Sequence, residues 1–115
     1  LNKHKNHLGI DIAARFQDEI FSPGDGRVIF SGNNEDLGNT IILSHPGGFI
    51  SVFAHNDSNL VVSGMSIEKG QLIGRVGETG NSKGPHLHFE MWKNSEVLDP
   101  REIILEYKQK DVSIR

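Results

Sequence analysis

The stretch NTIILSHPGGFISVFA, residues 39–54, holds two β-rich runs, Asn39 to Ser44 and Phe49 to Ala54, on either side of Pro46-Gly47-Gly48. Isoleucine, valine and phenylalanine suit a pleated, half-buried surface, and the Pro-Gly-Gly triplet reverses the chain, so the stretch predicts an antiparallel hairpin. The same alternation of short runs and turns extends outward in both directions. Upstream, Ile10 and Ile12 alternate with Gly9 and Asp11, which predicts a strand over Gly9 to Ala13. The turn Ser22-Pro23-Gly24-Asp25-Gly26 then leads into a β-rich run from Arg27 to Ser31. Downstream, Ser63-Gly64 and Lys69-Gly70 bracket another turn, and Leu72 to Val76 and His86 to Trp92 complete the sheet. Helix signals are confined to the end, where Asp99-Pro100-Arg101-Glu102 offers an N-cap, a proline at the first helical position and an early acid before IILEYK. The class is all-β, a compact antiparallel sheet with one short C-terminal helix.

Composition fits this reading. The 115 residues suit one domain, and 36% hydrophobic residues suffice for a core. Thirteen glycines exceed the usual share of roughly 7% and point to many tight turns. A formal net charge of −3 supplies no global basic field for nucleic acid or an anionic membrane. There is no cysteine, which excludes disulfides, thiol nucleophiles and thiolate metal sites and leaves His, Asp and Glu as candidate ligands. No apolar run approaches the ~18 residues that span a bilayer, so no membrane segment is expected in this stretch. The chain begins at Leu1, only a few residues before its first motif, and is expected to be a domain cut from a longer protein, with any signal peptide or further domain upstream.

Six histidines carry the chemical interest: His4, His7, His45, His55, His86 and His88. In Gly84-Pro85-His86-Leu87-His88-Phe89-Glu90, residues i and i+2 of a strand share one face, so two imidazoles stand side by side while Leu87, Phe89 and Met91 face the core. Crowded imidazoles repel when protonated, which favours a neutral pair able to take a metal or exchange a proton. In His7-Leu8-Gly9-Ile10-Asp11, the histidine and the aspartate again share a strand face, and Gly9 between them leaves room for an ion. Each motif alone has an ordinary reading, HxH as a solvated strand face and HxxxD as a salt link. Together they supply the three protein ligands of a hydrolytic zinc site, His7, Asp11 and one of the paired histidines, with the other histidine left as an acid or base. His45 and His55 both end β-rich runs and compete for a second catalytic role; the Phe53-Ala54-His55 context favours His55, with His45 lining the turn. His4, in the polar start NKHKN, is expected to be solvated.

HLGIDIAA, SPGDGRVIFSG, GMSIEKGQLIGRVGETG and above all GNSKGPHLHFE resemble the lysostaphin/LytM-type zinc metallopeptidases, over about residues 7–104 of a single domain spanning 1–115. The resemblance implies a duplicated-hybrid-motif barrel-sandwich fold, with Zn²⁺ held by His7, Asp11 and His88 and with His55 and His86 as catalytic groups. It also implies a peptidoglycan peptide substrate and a place in the bacterial cell envelope, periplasmic or extracellular. Phe53 departs from the family's common tyrosine and removes a hydroxyl near the cleft. There is no HExxH helix, hence no glutamate base of the thermolysin kind. The segments Asn33–Gly38, Asn56–Asn59 and Thr79–Pro85, rich in glycine and asparagine, are expected to be loops that wall a groove. Two rival readings share the fold: a non-catalytic regulator of another wall hydrolase, and a phosphotransferase-type carrier whose histidines pass a phosphoryl group. The complete set of ligand and catalytic positions argues against both.

Overall fold

The computed structural model describes residues 10–80 and 84–98, which form nine strands of one sheet with every pairing antiparallel. They are β1 (Ile10–Ala13), β2 (Glu19–Phe21), β3 (Gly26–Asn34), β4 (Gly38–His45), β5 (Phe49–Asn59), β6 (Ser66–Ile67), β7 (Leu72–Val76), β8 (His86–Lys93) and β9 (Glu96–Val97). The main path runs β1-β8-β5-β4-β3-β6; β7 pairs with both β5 and β2, and β9 folds back on β8. The all-β expectation holds: among the described residues there is no helix, and so none long and apolar enough to cross a membrane. The short helix expected after Asp99, like Gly9 and His7, lies outside the described residues.

The hairpin read from residues 39–54 is β4 and β5, paired from His45↔Phe49 to Asn39↔Asn56. One face of this ribbon carries Ile41 and Leu43, both fully buried, and Phe53. β8 adds Phe89 directly opposite Phe53, with ring centroids 5.2 Å apart at 52°, together with Leu87 and Met91. Fully burying one such side chain contributes roughly 1.5–3 kcal/mol. Ile10 and Ile12 of β1 close the cluster from the sheet edge. Thus Leu87, Phe89 and Met91 of β8 fill the core, as the alternation predicts, and His86, His88, Glu90 and Trp92 are left for the opposite face.

One expectation is corrected here. Asn56–Asn59 is no loop but the last part of β5, and Asn56 is fully buried. β5 pairs with β8 from Phe49 to Ala54 and then with β7 from Asn56 to Asn59, so it passes from one partner to another at His55. Asparagine and aspartate disfavour strands, but here side-chain bonds hold them: Asn56 Nδ2 donates to the Phe53 carbonyl and to Asn59 Oδ1, and Asn59 Nδ2 donates to the Thr40 carbonyl. Asn33 and Asn34 likewise belong to β3.

His45 pins the SPGDG turn. Its Nδ1–H donates to the Asp25 carbonyl at 2.7 Å, and its Nε2 accepts from the hydroxyl of fully buried Ser51 at 2.7 Å. Burial pushes the His45 imidazole below its ordinary value, against the hydrogen bond and charge of Asp25. The folded chain therefore takes this proton less readily than the unfolded one. Stability is unaffected by His45 above about pH 6.5, the unfolded value, and falls as pH drops from there toward the lowered folded value. Denaturation midpoints of the wild type and His45→Gln across pH 7.5 to 5 are expected to show a shallower acid loss in the variant; parallel profiles would contradict this.

Candidate functional site

β1 lies at the edge of the sheet and pairs Asp11 with His88 and Ala13 with His86. The period of two on β8 places His86, His88, Glu90 and Trp92 on one face, and Asp11 joins them from the neighbouring strand. His88 Nδ1 sits 2.9 Å from Asp11 Oδ1, and His86 Nε2 is 3.6 Å from the same oxygen. The Asp11 side chain is 64% exposed, so this junction opens to solvent. The other ring nitrogen of His88 lies 2.9 Å from Glu90 Oε2. Burial alone would push His88 down, but the hydrogen bonds and charges of Glu90 and Asp11 outweigh it and hold the imidazole above its ordinary value.

His55 reaches the same place from β5. At the change of partners its backbone adopts φ 63°, the left-handed region, and its N–H donates to the Leu37 carbonyl at 2.7 Å. Because a carbonyl only accepts, the 2.7 Å contact of His55 Nδ1 with the Thr79 carbonyl fixes the proton on Nδ1 and leaves Nε2 with its lone pair. Thr79 is itself clasped: its hydroxyl donates to the Asn56 carbonyl and accepts from Asn39 N–H, while Asn39 Nδ2 donates to the carbonyls of Asn56 and Asp57. Gly38 (φ 68°) permits this approach, since a Cβ there would collide with Thr79. The buried His55 ring stands 5.5 Å from that of His86 and 5.9 Å from that of His88, centroid to centroid. Burial pushes its pKa below the ordinary value, and the charges of His88 and His86 act in the same direction, against the Thr79 hydrogen bond and Asp11. His86 Nδ1 similarly donates to the Gly84 carbonyl at 2.9 Å.

Four of the five residues named from the sequence therefore meet: Asp11, His55, His86 and His88. His7, the fifth, is outside the described residues, and so is His4. His45 is committed to Asp25 and Ser51 and touches none of them. Among the described residues no three His, Cys, Asp or Glu side chains form a set that could hold a metal ion. The two proposed ligands among them nevertheless fit one. A carboxylate oxygen and an imidazole nitrogen, both ordinary zinc donors, converge at 2.9 Å on an open strand edge, and the remote nitrogen of that imidazole already has a carboxylate partner. Sequence reasoning left Glu90, Trp92, Thr79 and Asn39 without roles. Glu90 and Trp92 follow His88 at the i+2 and i+4 positions of the same strand, a signal the alternation already contained. Thr79 lies 24 residues from His55, and no local pattern announces that contact.

Residues 5–100 match Peptidase family M23, and the chain belongs to that family, as the lysostaphin/LytM-type motifs predict. Peptidoglycan DD-endopeptidase ShyC of Vibrio cholerae is 36% identical over 105 residues, covering 91% of this chain and 24% of ShyC. Murein hydrolase activator NlpD of Escherichia coli is 39% identical over 93 residues, covering 80% of this chain and 24% of NlpD. The crystal structure of a zinc-containing peptidase from Vibrio cholerae superposes with a TM-score of 0.78 at 34% identity, covering 81% of this chain and 29% of that one. The chain thus spans about a quarter of the length of these curated relatives.

Proposed function

We propose that this domain is a zinc-dependent endopeptidase that hydrolyses peptide bonds of bacterial peptidoglycan, in stem peptides or in the cross-links between them, in the cell envelope or outside the cell. The observation that carries this reading is the convergence of Asp11 and His88 at 2.9 Å with two further imidazoles, His55 and His86, beside them. The peptidase family and the DD-endopeptidase relative support it. Asp11 and His88, with His7, would hold the metal, which when bound supplies a Lewis acid that polarises the scissile carbonyl and acidifies the attacking water.

The remaining chemistry belongs to the chain. His55 and His86 each commit Nδ1–H to a backbone carbonyl and keep Nε2 as a proton acceptor. One of them takes a proton from the attacking water; the other, once protonated, hydrogen-bonds the developing oxyanion or gives its proton to the leaving amine. Burial that favours the neutral form suits His55 to accept a proton at neutral pH. The backbone carbonyls of Thr79 and Gly84 orient the pair before substrate arrives.

Mass spectrometry of fragments released from purified sacculi, with and without a zinc chelator, tests the reading. Chelator-sensitive release of new amino termini is expected, and the masses identify the bond. Zinc-loaded protein that releases nothing from several wall types would overturn it and favour a role like that in the name of NlpD, activation of another hydrolase.

A further inference from the structure

Glu90 is the one buried carboxylate among the described residues that have buried side chains, and nothing in the proposed reaction uses it. Both of its oxygens are engaged. Trp92 Nε1–H donates to Oε1 at 2.9 Å, and His88 Nε2 lies 2.9 Å from Oε2. Trp92, Glu90, His88 and Asp11 therefore form one hydrogen-bonded line that runs from half-buried Trp92 through buried Glu90 to the open strand edge.

We propose that Glu90, oriented by Trp92, is a positioning residue that fixes the tautomer and ring orientation of His88 so that Nδ1 is presented, beside Asp11, as a metal ligand. The inference rests on the zinc-site reading above. Its chemistry is that of donor and acceptor polarity. A carboxylate only accepts, and both ring nitrogens face one, Asp11 at Nδ1 and Glu90 at Nε2. With Asp11 and Nδ1 given over to a metal, Glu90 would be the acceptor left to hold a proton, keeping it on Nε2 and the Nδ1 lone pair for the metal. An indole only donates, so Trp92 demands an acceptor at Oε1 and settles which way any amide at position 90 must face.

That polarity makes a sharp test. In Glu90→Gln the amide oxygen must turn to Trp92, and the amide NH₂ then faces His88. It would donate to Nε2 and drive the proton onto Nδ1, where it blocks the metal. The zinc dissociation constant, measured by competition with a chromophoric chelator, is expected to rise about 10–100-fold. Adding Trp92→Phe removes the donor that fixed the amide, so the glutamine can rotate and offer its oxygen to His88. The double variant is expected to bind zinc more tightly than Glu90→Gln alone. A second mutation that restores affinity is not what loss of packing produces. In zinc-loaded wild type, ¹⁵N spectra of the His88 ring are expected to show a protonated Nε2, a readout that needs no variant to fold.

Wild-type zinc affinity in Glu90→Gln, no recovery in the double variant, or a His88 ring protonated on Nδ1 would each overturn the proposal. Failure of the wild type itself to bind zinc would overturn the underlying site reading instead, so the two failures are distinguishable.

Discussion

Replacing His86 with alanine is expected to lower cleavage of wall peptides about 10²–10⁴-fold, the usual contribution of a positioned general acid or base, while zinc stays bound. The asymmetry between the two histidines of the HLH pair is the reason. His88 lies within 2.9 Å of the Asp11 carboxylate and is braced from behind by Glu90; His86 Nε2 stands off at 3.6 Å, with its other nitrogen on the Gly84 carbonyl. Removing His86 therefore leaves the Asp11–His88 junction intact and deletes a proton acceptor next to it. Zinc content per chain, measured alongside fragment release, separates the outcomes. Loss of zinc in His86→Ala would make His86 a ligand and reverse the assignment of the pair.

Replacing Asp11 with alanine is expected to act on the metal first. Its carboxylate is a donor from the edge strand, and its loss removes a ligand instead of a supporting group. Zinc affinity should fall by more than the roughly 10–100-fold that a group bonded to a ligand is worth, with cleavage lost in proportion. Raising free zinc should restore part of the activity of Asp11→Ala and none of that of His86→Ala, since only the former fails through occupancy. Equal zinc content in wild type and Asp11→Ala would remove Asp11 from the ligand set.

How far these residues could be read in advance depended on the range of the interactions that place them. The hairpin over residues 39–54 and the two-faced strand carrying His86 and His88 were legible because each is set by a short-range pattern, β-rich runs about a turn or alternation along one strand. Asp11 belongs to the same class. The strand character of Asn56–Asn59 was hidden, because their intrinsic preference points the other way and only pairing with β7 and amide hydrogen bonds override it. β2 and β6, of three and two residues, exist through partners distant in the chain, and β9, of two residues, through the turn back onto β8; none is long enough to leave a periodic trace. The Thr79–Asn39 clasp beneath His55 joins three separate segments, which one sequence without its fold cannot bring together.

The backbone angle at His55 has a practical consequence for anyone dissecting this domain. A φ of 63° is tolerated by glycine, asparagine and histidine and resisted by residues branched at Cβ. Position 55 therefore screens its occupants by shape before chemistry is asked of them. An alanine or valine there would disturb the seam between the two halves of β5 as well as delete an imidazole, and lost turnover would have two causes. Asparagine keeps the twist of the chain, which makes it the substitution whose silence reports the missing imidazole and its bond to Thr79 without a disturbed backbone.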